Sequence, residues 1–292
     1  MLVAAFVLAV TFIALAVMLN SVIYTENLAT RGEDAHGSEA IAYRADAVSG
    51  TEDLVEYAND NRTTFTDRKA DLEASIASLD NGTAPIIATG GIRTRAALMR
   101  VTQGTHIGQF NASRDFTSDN DLGVWPLDDD VRGTRSFEIN VTDSNRLDTT
   151  APFTIRVFEG TDQWVLRIYN QSGTAATTLD VLGGPTCDIG GLDPEIDVVA
   201  GTVDGEACSG YEFADGVPEP YTIQFENARN IQGNFSLVVN ATNPNTLFYS
   251  ADEDTPFADN EAIYAATIHV LHESADHVYA TDARAIPGEN DE

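Results

Sequence analysis

The chain predicts an α+β fold: a long hydrophobic N-terminal helix, a helical stalk, and then an all-β, sandwich-like domain. Three observations carry this expectation. No charged residue occurs before Glu26. None of the ten prolines precedes Pro85, and only four of the twenty-two glycines do. Beyond that point the apolar pattern shortens to a period of two, in β-branched and aromatic runs separated by turn residues.

The first element covers 1–25. Thirteen of these residues are Leu, Ile, Val or Phe, and Gly, Pro and His are absent. As a helix the segment is ~37 Å long, enough for a hydrocarbon core of ~30 Å. The side chains expected to meet lipid or neighbouring helices include Leu2, Phe6, Leu8, Phe12, Ile13, Leu15, Leu19 and Ile23. A cleaved signal fits poorly, because its apolar region is only ~7–15 residues long and ends at a small-residue site. Here the run passes without interruption into sequence that still favours helix. The N-terminus is therefore expected in the cytoplasm and the body outside.

The second element, 26–82, reads as a helical stalk with a second helix at about 52–81. Thr51 is the expected N-cap, with Glu52 and Asp53 on the positive end of the dipole. Ala58, Phe65, Leu72 and Leu79 recur every seven residues, with Leu54 and Ile76 at neighbouring steps, which predicts a narrow coiled-coil-like stripe. Gly50 is expected to permit a bend, and Gly82 suits the position just past a helix end.

The third element, 85–292, is expected to be the extracellular β-domain. Strands are predicted in TRSFEINVT, APFTIRVFEG, QWVLRIYN, TTLDVLGG, PYTIQFENA, NFSLVVNAT and AIYAATIHVLHE. PYTIQFENARNIQGNFSLVVN reads as two antiparallel strands around a polar connection. The tail ATDARAIPGENDE is expected to fray. Strands at this spacing favour a sandwich over a barrel.

Charge narrows the function classes. There are 46 acidic and 16 basic residues, a formal net charge of -30, with Lys69 the single lysine. Nucleic acid and anionic lipid surfaces both demand basic patches, so neither is an expected partner. At molar salt the Debye length is ~3 Å, and most self-repulsion is screened. Acidic clusters therefore read first as solvated surface.

The two cysteines, Cys187 and Cys208, read as one disulfide, worth on the order of 3 kcal/mol. Buried free thiols are the alternative. Seven Asn-X-Ser/Thr sequons occur, at Asn61, Asn81, Asn111, Asn140, Asn170, Asn234 and Asn240. They point to an exported, glycosylated body.

Catalytic motifs are absent. The sequence has no G-x-S-x-G, no G-x-x-x-x-G-K-[ST] and no G-x-G-x-x-G. HVLHESADH brings His269, His272 and His277 close in sequence, but a strand sends the first two to opposite faces. Asp128, Asp129 and Asp130, and the group Asp252, Asp254 and Asp259, supply oxygens without the spacing of an EF-hand loop. No catalytic, metal-binding or cofactor-binding residue is assigned, no cofactor is expected, and the chain is read as a non-enzyme.

The run LVAAFVLAVTFIALAVMLNSVIYTENLATRG at 2–32 resembles the N-terminus of haloarchaeal pilin-like secreted proteins. AGTVDGEAC at 200–208 and the closing AIYAATIHV…ATDARAIPGE add weaker similarity. The helix-then-β plan is similar to that of type IV pilins. The resemblance implies membrane insertion, processing by a prepilin-type peptidase, and packing of Leu2–Ile23 against related subunits in a filament core. It departs from the family in lacking a basic leader, and Ala5 stands where many processed bacterial pilins carry glutamate. A membrane-anchored surface glycoprotein with a sandwich-type binding or adhesion module is the alternative function.

Overall fold

The computed structural model describes residues 38–59, 64–89, 91–170, 177–189, 191, 193–241, 246–250 and 255–288. The expected helix at 1–25 and the sequon at Asn61 lie outside the described residues, as do Asp252 and Asp254. No helix among the described residues is long and apolar enough to cross a membrane.

The backbone is helical over 38–59 (α1) and again over Phe65–Ala88 (α2). In α1, Ala47, Val48, Thr51, Val55 and Ala58 are buried, the three-and-four spacing of one helical face. Thr51 is not an N-cap. It lies within α1, and its hydroxyl donates to the Ala47 carbonyl at 2.7 Å. The cap belongs to Thr64, whose hydroxyl accepts from Asp67 N.

The helical division expected at 52 therefore falls between 59 and 65. The seven-residue stripe holds only in part: Ala58 and Leu72 are buried, whereas Leu79, in the same helix as Leu72, is exposed. Gly50 makes no break either; it lies inside α1 and faces Leu79 of α2. Gly82 lies inside α2, which runs through Pro85 and stops one residue before its C-cap, Thr89. Proline lacks the N–H that a helix interior uses, so α2 forgoes one backbone bond at Pro85.

Among the described residues fourteen strands follow: β1 Arg93–Gln109, β2 Trp125–Val131, β3 Thr134–Val141, β4 Phe153–Glu159, β5 Asp162–Asn170, β6 Thr177–Val181, β7 Thr186–Ile189, β8 Glu195–Asp197, β9 Thr202–Val203, β10 Glu206–Ala207, β11 Tyr221–Glu226, β12 Gly233–Val239, β13 Phe257–Glu273 and β14 Val278–Ala285. They form two antiparallel sheets, ordered β10-β9-β8-β3-β12-β1-β13-β14 and β2-β11-β4-β5-β6-β7. The expected mixture of helix with mostly sheet is present.

The main core lies between the sheets. Phe225 of β11 meets Phe153 at 5.0 Å, Phe235 at 5.2 Å, Trp125 at 5.7 Å and Phe116 at 5.8 Å, ring centre to ring centre. Alternation supplies these side chains: β11 and β12 bury every second residue over Tyr221–Phe225 and Gly233–Leu237.

β11 and β12 are not partners in one sheet. Asn227 at φ 55° and the short 3-10 turn Ala228–Asn230 carry the chain from one sheet to the other. The C-terminal segment also differs from expectation: β14 pairs with β13 from Ala266↔Ala285 to Glu273↔Val278.

A second core explains where the helices go. Val48, Val55, Leu72 and Ile76 pack with Ala96, Ile263, Ile268, Val270 and Ala283 of β1, β13 and β14. Within 38–88 the helices thus lie on the eight-stranded sheet instead of standing away from it as a stalk. The pairing of β1 with β13 shifts register three times, between Leu98 and Arg100, Thr102 and Gln103, and Gly104 and His106. Such bulges bend a strand. The bends let one long pair serve the helix-covered layer at one end and the inter-sheet core at the other.

Candidate functional site

The end of α1 and the start of α2 are tied to β13 by polar contacts that sequence periodicity does not reveal. The side-chain amide of Asn59 donates to Ile263 O and accepts from Ile263 N, both at 2.8 Å. It stands in for a strand partner at a backbone position next to a bulge. Phe65 N, at the positive end of α2, donates to the Glu261 carboxylate. Arg68, which is 1 % exposed, donates through Nη2 to Asp259 Oδ2 at 3.4 Å.

Beside this tie lies a half-open cleft of about 430 Å³. Glu56, Asn59 and Arg68 form its helical wall. Arg135, Ser136 and Glu138 of β3, Ser236 and Val238 of β12, and His106 with Phe110 form the rest. Arg135 Nη1 donates to Ile263 O at 3.0 Å, so both buried arginines help hold the β13 bulge. Two guanidiniums and two carboxylates leave the lining close to neutral.

His106 Nε2 and Ser236 Oγ are 2.9 Å apart. That contact has the spacing of a nucleophile and its base. Its setting argues otherwise. Ser236 sits mid-strand, paired to Gly108 on one side and Glu138 on the other. The surrounding backbone N–H groups belong to the sheet ladder, and an oxyanion hole requires such donors aimed at the reacting carbonyl. The cleft is thus suited to holding a polar ligand rather than to acyl transfer.

The other sequence-derived candidates are dispersed. His269 is exposed and meets Asp282 at 2.7 Å, while His272 is buried on the opposite face beside Tyr43. Among the described residues no group of three His, Cys, Asp or Glu side chains is placed to hold a metal ion. Asp128 is buried, whereas Asp129 and Asp130 are exposed, and Asp259 is engaged with Arg68.

Cys187 and Cys208 form a disulfide with a Cα–Cα distance of 5.8 Å. Cys187 lies in β7, the edge of the six-stranded sheet, and Cys208 directly follows β10, the edge of the eight-stranded sheet. The bond therefore fastens one sheet to the other along one side. Among the described sequons, Asn81 and Asn140 are exposed, and Asn111, Asn170, Asn234 and Asn240 are half-buried.

No protein-family model matches this chain, and neither a curated protein nor a solved structure matches it.

Proposed function

We propose that the chain is a structural subunit of a cell-surface filament of the type IV pilus kind, assembling through its N-terminal segment. The observation that carries this reading is the charge-free run Met1–Thr25, joined to a helical pair and a large disulfide-closed β-body. Before assembly the run is held in lipid. On assembly, Leu2–Ile23 exchanges lipid for copies of itself or related subunits. A prepilin-type peptidase and a glycosylation machinery are its processing partners. The acidic body faces the medium at the cell surface and performs no catalysis.

A second reading, a membrane-anchored surface glycoprotein that binds a ligand, is favoured by the cleft. Its near-neutral lining of guanidinium, carboxylate, hydroxyl and aromatic groups suits a polyhydroxylated molecule better than a phosphate.

One experiment separates the two. In the filament reading, Leu8→Asp or Ile13→Asp abolishes recovery of the protein in filaments sheared from cells at high salt. Wild-type protein that stays wholly with membranes and never polymerises sinks the filament reading and leaves the anchored binder.

A further inference from the structure

Seven sequons occur in the sequence, but the fold does not treat them alike. Asn81 lies on the exposed side of α2, and Asn140 is the penultimate residue of β3 on the outer face of the eight-stranded sheet. Both side chains are exposed, and neither makes a hydrogen bond among the described residues.

The other described sequons are built into the body. Asn170 Nδ2 donates to Ser144 O at 2.8 Å, while its Oδ1 accepts from Thr177 Oγ1 at 3.2 Å, joining β5, β6 and the turn after β3. Asn240 Nδ2 donates to Arg132 O at 3.0 Å, next to the β2–β3 turn. Asn234 is half-buried with Oδ1 enclosed, and Asn111 closes a turn by accepting from Ser113 N at 3.0 Å.

We infer that, among the described sequons, Asn81 and Asn140 carry glycan in the folded protein, and that Asn170, Asn234 and Asn240 remain unmodified. This rests on the exported body of the filament reading.

In the modification, Asn Nδ2 bonds to the anomeric carbon of a lipid-phosphate-linked oligosaccharide. The C1–O bond to phosphate breaks, the lipid phosphate leaves with that electron pair, and Nδ2 releases one proton. At Asn81 and Asn140 the new sugar projects into solvent. At Asn170 it must occupy space beside an amide nitrogen already packed against Ser144 O. A chain modified there has the sugar crowding the Ser144 contact that ties β5 to the turn after β3, and the native population is depleted of it.

The test is site-resolved glycopeptide mass spectrometry on protein purified from the cell surface, with N81Q, N140Q and N170Q variants beside it. The expected result is glycan on Asn81 and Asn140, with N81Q and N140Q each losing one glycan mass and N170Q losing none. Exported protein that is bare at both sites, or that carries glycan on Asn170 or Asn240, overturns the assignment alone. Protein retained inside the cell and wholly unmodified overturns the exported-body reading as well.

Discussion

At the scale of single residues, the acidic side chains do more than coat a surface. Asp204 accepts from Gly191 N and Glu195 N, Asp197 from Val199 N and Ala200 N, and Asp193 from Ser144 N. Asp204 and Asp197 thereby satisfy backbone donors within 191–207, and Asp193 satisfies one in the short turn after β3. Asp148 is held below the usual carboxylate range by bonds from the Thr150 backbone N–H and hydroxyl.

Asp128 goes the other way. Burial pushes its carboxyl up to about 6, and its Oδ2 has no partner among the described residues. An acid raised in the folded state contributes fully below its unfolded value near 3.8, and loses that contribution as pH rises through about 6. The span corresponds to at most about 3 kcal/mol. Asp128→Asn, which keeps the acceptor for Asp129 N, is therefore expected to raise stability at pH 7 by about 1–3 kcal/mol and leave it almost unchanged at pH 4. Thermal melts of both proteins across this range check it; equal gains at both pH values would discount the titration. None of this was legible in the sequence, where Asp128 is one of three consecutive aspartates. Capping and burial depend on where loops bring backbone N–H groups, not on local pattern.

At the scale of elements, the fold is largely a matter of managing sheet edges. The first half of β1 has β13 on one side but no strand on the other, since β12 pairs only with Thr105–Gln109. Helix α2 covers that side, and Asp80 Oδ1 accepts the Ala96 N–H at 2.8 Å. At the opposite end of the sheet, the short β8–β10 and the Cys187–Cys208 bond close the molecule.

Because the disulfide spans two sheets with a sequence separation of 21, the C187S/C208S double variant should lose about 3 kcal/mol. That corresponds to a fall in Tm of roughly 6–12 °C for a body of this size. A melt that does not shift would mean the interlocked Phe and Trp side chains close the two sheets without it.

The seven runs with β-branched and aromatic alternation all coincide with strands, because a half-buried strand writes its own pattern. What stayed hidden is long-range. The partition of β11 and β12 into different sheets depends on the left-handed Asn227. The docking of α1 and α2 adds, to its apolar contacts, the polar ties of Asn59 and Arg68, which an apolar pattern does not flag. The cleft was hidden for the same reason, since its walls come from four segments far apart in the chain.

At the scale of the whole molecule, two electrostatic effects oppose one another. Seven arginines are paired with carboxylates among the described residues, from Arg68–Asp259 to Arg229–Asp121. Apart from the Arg68 pair these are exposed or half-exposed contacts, each worth no more than about 1 kcal/mol, and salt weakens them. Against them stands a net charge of -30, whose self-repulsion salt relieves. Repulsion among thirty unmatched charges acts over the whole surface, whereas each pair acts only at contact, so added salt is expected to stabilise the fold. Salt also strengthens apolar burial, but the two contributions differ in form. Screening is nearly complete once the Debye length reaches ~3 Å, near 1 M, while exclusion of salt from the surface grows steadily with concentration. Relief of repulsion therefore predicts a Tm that climbs by roughly 10 °C between 0.1 M and 1 M KCl and then flattens. A steady rise to 3 M would assign the effect to burial instead, and a Tm that falls with salt would show that the arginine pairs outweigh the repulsion.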